Sequence, residues 1–271
     1  MSTGISLTSG MRSTLYSLQM SSSLLNRTQN RLSTGKKVNS ALDDPISFFA
    51  AQAHSQRAND LSALKDQMGE GIQTIKAADA GIKAITDLVA SAKSLAQSAQ
   101  ASSDDTERAS LMAQFNDLLD QIDFLSEDSG YKGTNLLAGD TLTVDFDEDA
   151  TSSISVVGFD ATVAGDLAIT AGTDWSVGSA EIDTAIGELD AARSVLRTNS
   201  QTLSNQLSTI TIRDDYTANM INTLNDGADK LTLADMNEEA ANMLMLQTQQ
   251  QLALSSLSMA SASAQGVLRL F

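Results

Sequence analysis

His54 is the only histidine in the 271 residues, and the chain has no cysteine. With no second His, no Cys and no carboxylate cluster beside it, His54 reads as a polar surface or packed residue. A His-Glu-x-x-His zinc site is excluded outright, because that motif needs two histidines. The absence of Cys removes disulfides, thiolate chemistry and Cys-ligated zinc. Asp117, Asp120 and Asp123 are spaced by threes and have the residue type of a metal site or an acid–base pair. They fall opposite or beside an apolar stripe, and no glycine-punctuated calcium loop surrounds them, so they read as a solvated helix face. No nucleophile–base pair, phosphate loop or ligand set emerges. Neither an enzyme nor a cofactor is expected, and contact between apolar surfaces is the remaining chemistry.

Such surfaces lie at both ends of the chain. Met243, Leu246, Gln250, Ala253, Leu257, Ala260, Ala264, Val267 and Phe271 alternate by three and four residues. That 3.5-residue period is the stripe of a helix packed along another helix, and Leu254 and Leu268 widen it. Met11, Leu15, Leu18, Ser22, Leu25, Gln29 and Leu32 repeat the stride near the start. The two terminal helices are therefore expected side by side. Burying one face of residues 236–271 does not offset the entropy of ordering them. The ends are expected to be disordered in the free monomer and to fold on association.

Between the ends lie further helical patterns. Leu61, Leu64, Met68, Ile72, Ile75, Ile82, Ile85, Val89, Ala92 and Leu95 mark a long helix, with a break expected near Gly69 and Gly71. After Asp104-Asp105-Thr106, Leu111, Phe115, Leu118, Ile122 and Leu125 mark another. Leu189, Leu196, Leu203, Ile210, Thr217 and Leu224 recur every seven residues, and Asn225-Asp226-Gly227 is expected to end that helix before a linker to Leu233. Residues 130–179 are glycine-punctuated. Alternation over Thr141–Phe146, together with Ile154, Val156 and Ala168-Ile169, suggests short strands there.

The net charge is −17, with 4% aromatic residues and one proline. Residues 101–190 hold twenty acids against Arg108 and Lys132, while residues 1–40 hold five basic residues and no acid. The acidic middle reads as a solvated exterior and argues against a nucleic-acid partner. No apolar run reaches the length of a membrane span, so no membrane partner is expected. The first residues lack a secretory signal, so any export takes another route.

Arg31-Leu32-Ser33-Thr34-Gly35 followed by Lys36-Lys37-Val38-Asn39-Ser40-Ala41-Leu42-Asp43-Asp44-Pro45 reads as a tight connector. Gly35 stops one helix, the two lysines lie near its negative end, and Asp44-Pro45 caps and starts the next. The run closely resembles the signature of bacterial flagellins, carried by Arg31, Leu32, Ser33, Gly35, Asn39, Asp43 and Asp44. Gln247–Leu252 and Val267–Phe271 resemble the flagellin ending, and Tyr131–Gly139 the piece that enters a hairpin. The resemblance covers roughly residues 1–140 and 180–271. Pro45 and Phe48-Phe49 depart from the commonest form, and Asp-Pro also occurs in the hook–filament junction protein. A hook-associated protein is the second reading, distinguished by its failure to polymerise indefinitely.

The resemblance implies a mainly α fold: a long antiparallel helical bundle or coiled coil with paired terminal helices and a small β-rich tip. Residues 1–40 and 234–271 would form inner-core terminal helices, 41–129 and 180–233 an outer-core bundle, and 130–179 a small β-hairpin or variable region. It implies a subunit that self-assembles into a secreted, extracellular flagellar filament for swimming, as a helical homopolymer. Its self-assembly residues would be Met11, Leu15, Leu18, Leu25, Leu32, Met243, Leu246, Leu257, Val267, Leu268 and Phe271. Export would be unfolded through the flagellar type III route, with an export chaperone and with cap and hook-associated proteins as partners. Leu95–Gln100 resembles the segment read by the vertebrate innate receptor, which leans on an arginine four positions before the leucine. Ser91 holds that place here, so weak receptor activation is expected.

Overall fold

Each three-four stripe folds as a helix. The computed structural model describes residues 9–268, in the order α1 (Ser9–Thr34), α2 (Pro45–Ala101), α3 (Asp105–Asp128), β1 (Thr141–Asp145), β2 (Ser153–Val157), α4 (Glu181–Thr232) and α5 (Met236–Leu268). The fold is mainly α with packed helix pairs and one small antiparallel sheet. It divides into two compact units, Met1–Gln56 with Thr223–Phe271, and Arg57–Asn222. The boundaries between them fall inside α2 and α4.

In the second unit, helix starts are set by local chemistry. The Asp104 carboxylate accepts the Thr106 N–H at 2.9 Å, and Asp105 and Glu107 follow in the first turn of α3, where negative charge opposes the helix dipole favourably. The sevenfold row of α4 is buried from Leu189 through Leu196, Leu203, Ile210 and Thr217 to Leu224. Met68, Ile75, Ile85 and Val89 of α2 and Phe115 and Ile122 of α3 join this row in a single core, apart from Thr217 and Leu224.

Three expectations about where helices and strands begin, break or end are corrected. Helix α2 does not break at Gly69-Gly71. Its glycines instead mark close approaches: a Cβ on Gly71 would lie 2.8 Å from Val144 Cγ2, and one on Gly81 would meet Ser129 and lie 2.6 Å from Leu137 Cδ1. Helix α4 does not stop at Gly227 but runs to Thr232, because Ala228 and Thr232 bury on its inner face and outweigh one glycine. His54 sits near this turn, with a Gly227 Cβ position 3.7 Å from its Cδ2. Ala168-Ile169 is not a strand. Ala168 adopts φ +47° in a turn in which its N–H bonds Gly165 O, and the Ile169 N–H bonds Val163 O at 2.9 Å.

Residues 130–179 are mostly irregular chain packed into the core of the second unit. Strands β1 and β2 pair antiparallel with Leu142 opposite Val156 and Val144 opposite Ile154, so these four share the inner face. Leu136, Leu137, Leu167, Ile169 and Trp175 are buried with the helices, and Trp175 stacks on Phe115 at 4.9 Å between ring centroids. Side chains from the helices hold this segment in place. Val163 N–H donates to Asp123 at 2.6 Å, Thr170 N–H to Glu188 at 2.7 Å, Asp174 N–H to Glu181 at 2.7 Å and Val177 N–H to Asp105 at 2.7 Å. Buried Arg108 donates to Trp175 O, and Asn116 exchanges two hydrogen bonds with Gly172. Asp117 and Asp120 are exposed, as a solvated face requires, but half-buried Asp123 is a loop anchor. The acidic middle is therefore partly a set of acceptors for backbone N–H groups that no regular structure satisfies.

Candidate assembly surface

Helices α1 and α5 pack along one another. They run antiparallel, because Arg31 at the end of α1 reaches Glu239 in the first turn of α5, with Nη1 to Oε1 2.9 Å apart. The glutamate side chain is 9% exposed and the arginine 30%, so this pair is far better shielded than a surface salt bridge. In α1, Met11 is buried, Leu18, Leu25 and Leu32 are half-buried, and Leu15 lies near the rim; Thr28 turns inward in place of Gln29, which is exposed. In α5, Leu246 is buried and Met243, Gln250, Ala253 and Leu257 are half-buried, while Leu254 is exposed. The side chains of Ala264, Val267 and Leu268, and the whole of Phe271, lie outside the described residues.

That pairing covers only one face of each helix. Met245, Leu252 and Met259 also recur every seven residues in α5, and they are 52%, 64% and 66% exposed, with Leu244 beside them at 70%. Tyr16 and Met20, one turn apart on α1, are exposed as well. This second apolar row repeats every seven residues in the sequence, beside the longer stripe that begins at Met243. A row of this kind is where another helix packs.

The connector and the start of α5 form one knot. Gly35, at φ +71°, donates its N–H to Arg31 O at 2.8 Å, which closes the end of α1. Lys37 N–H then bonds Thr232 O at 2.8 Å and Ala234 N–H bonds Gly35 O at 2.9 Å, so the two interhelical connectors pair through their backbones, with Val38 buried beneath. Asn39 Nδ2 donates to Thr34 Oγ1 and to Lys36 O. Asp43 accepts the Asn39 and Ser40 N–H groups, both at 3.1 Å, and these bonds hold its carboxyl below the ordinary range. Asp44 accepts the Ser47 hydroxyl at 2.8 Å and the Ser47 and Ile46 N–H groups, which lowers its carboxyl too and caps α2. Ser33 is exposed. All seven signature residues thus lie in or beside this knot. Sequence reasoning missed Thr232 and Glu239, whose contacts span about 200 positions and leave no local mark.

Elsewhere on α2, Ser91 is exposed and its hydroxyl donates to Asp87 O one turn earlier, while Leu95 is half-buried. Among the described residues, no helix is long and apolar enough to cross a membrane, and no group of three or more His, Cys, Asp or Glu is arranged to hold a metal ion.

Residues 5–141 match the family described as the bacterial flagellin N-terminal helical region, and residues 180–271 the bacterial flagellin C-terminal helical region. The flagellin FljO of Caulobacter vibrioides is 31% identical over 268 residues, covering 98% of each chain. A flagellin of Brucella melitensis is 26% identical, covering 95% of each chain. Among solved structures, Bacillus cereus flagellin aligns with a TM-score of 0.48 at 19% identity, over 56% of this chain and 88% of that one. With both end regions matched and a relative aligned over nearly its full length, the chain belongs to the bacterial flagellin family and is a structural subunit of the flagellar filament.

Proposed function

We propose that this chain polymerises through its terminal helices, the apolar row of Met245, Leu252 and Met259 being covered by neighbouring copies. The carrying observation is that these residues remain exposed after α1 has taken the other face of α5. Burying each side chain contributes about 1.5–3 kcal/mol, repeated along every copy of a filament. Until then the terminal pair is poorly supported, and it is disordered in the free monomer. Residues 1–40 and 234–271 form the filament's inner core, 41–129 and 180–233 its outer core, and 130–179 its small variable region.

The chain leaves the cell unfolded through the flagellar type III route, the C-terminal helix held by an export chaperone. It then adds to an extracellular filament under a cap protein, beyond the hook-associated proteins. The exported chain is recognised weakly by the vertebrate innate receptor, since Ser91 stands where an arginine would act.

Electron microscopy of a chain lacking residues 236–271 tests the assembly reading, with loss of filaments expected. A Met245→Glu/Leu252→Glu chain isolates the second row, because both side chains are exposed in the single chain. It is expected to retain the core helices and lose filaments. Normal filaments from either chain would overturn the reading.

A further inference from the structure

A groove of about 740 Å³ runs between α2 and α4 within the second unit. Ile82 and Leu196 lie at its base, and Lys83, Asp87, Asp190, Arg193 and Arg197 line it. Lys83 is engaged by Asp79 at 2.6 Å and Asp190 by Lys93 at 2.5 Å. Arg193 and Arg197, one turn apart on α4, have no carboxylate within ion-pair distance among the described residues. Two uncompensated guanidinium groups therefore face a groove whose one unengaged acid is Asp87. In a chain of net charge −17, these two groups make the groove a cationic patch on an acidic protein.

The same unit carries the complementary surface. Asp117 and Asp120 are exposed on α3 and have neither an ion pair nor a side-chain hydrogen bond among the described residues, and Phe124 follows one turn later at 57% exposure. Most acids of 130–179 are less available: Glu148 holds Arg57 at 2.7 Å, and Asp147 is occupied by Thr151 and Ser152. Along a helix axis the two aspartates are about 4.5 Å apart and the two arginines about 6 Å, within reach of the long guanidinium side chains.

We propose that the α2/α4 groove receives the acidic α3 ridge of a second copy, with Asp117 and Asp120 meeting Arg197 and Arg193 and Phe124 covering the apolar base. A planar guanidinium takes a carboxylate through two parallel hydrogen bonds, so the contact fixes register as well as attraction. Groove and ridge lie on different helices. The contact is heterologous, so each added copy leaves a groove and a ridge free for the next, as growth of an open polymer requires. This rests on the filament reading, which supplies the second copy as partner.

Polymerisation of the purified full-length chain tests it, read as critical concentration by sedimentation, with helicity checked by circular dichroism. Arg193→Glu/Arg197→Glu and Asp117→Lys/Asp120→Lys are each expected to raise the critical concentration about tenfold or more. Combining all four changes restores it to within about threefold, because the swapped charges again oppose one another. If either reversal polymerises like the parent, or the combination gives no rescue, the proposed contact is overturned and the filament reading stands. If the parent chain itself forms no polymer, the filament reading fails and takes the contact with it.

The chain has no cysteine, so a second measurement does not depend on charge. Copolymers of Ser194→Cys and Gln121→Cys chains are expected to form a disulfide-linked heterodimer on oxidation. Its absence from assembled polymer overturns the contact.

Discussion

At Gly81 the side chain that is missing matters more than those around it. A Cβ there would meet Ser129 and lie 2.6 Å from Leu137 Cδ1, while at Gly69, twelve positions earlier in the same helix, nothing lies within 4 Å. Gly81→Ala is expected to destabilise the second unit by about 1–3 kcal/mol through overpacking, despite the better helix propensity of alanine. Gly69→Ala, which gains the same propensity without a clash, is expected to stabilise by up to about 1 kcal/mol. Thermal melts followed by circular dichroism check both signs. At Ser91 the expected outcome is functional: weak activation of receptor reporter cells by the parent chain, raised by Ser91→Arg. Parent potency equal to that of an arginine-bearing flagellin would sink the Ser91 argument.

The connector is one element where pH acts. Asp43 and Asp44 both titrate below the ordinary aspartate value of 3.8. For Asp43 the leading cause is the Asn39 N–H, and for Asp44 the Ser47 hydroxyl. A carboxyl lowered in the folded state binds its proton more tightly in the unfolded state. Its stabilisation is therefore complete above the unfolded value and lost as pH falls through the folded one. Carboxyl NMR titrations should place both groups below 3.8, and Asp43→Asn should flatten the acid limb of connector stability. Titration at or above the ordinary value would refute these hydrogen bonds to Asp43 and Asp44. In α4, the buried sevenfold row makes Leu196→Ala a core truncation, expected to cost about 2–5 kcal/mol in denaturant unfolding.

For the molecule as a whole, the proposal that its ends fold on association has a direct test. Amides of α1 and α5 should exchange rapidly in the dilute monomer and become protected in filaments, while the α4 row from Leu189 to Ile210 is protected in both. Full protection of both ends in isolated single chains would refute coupled folding. The exposed row Met245, Leu252 and Met259 is the reason to expect the difference, since a two-helix pair leaves it in water.

The sequence alone determined the features that repeat along the chain. Helical stripes, the buried sevenfold row of α4, the Asp104 and Asp44 caps, the Gly35 stop and the pairing of the terminal helices follow from periodicity and from bonds a few residues long. Tertiary structure decided whether a glycine breaks a helix or makes room for a neighbour. It carried α2 through Gly71 and Gly81, and α4 through Gly227. It also gave Asp123, Glu181 and Glu188 their partners in 160–174, and Glu239 its arginine 208 positions away. The physical reason is range: a helix hydrogen bond closes over four residues, whereas a carboxylate's choice between water and a distant N–H depends on which chain segment the core brings beside it.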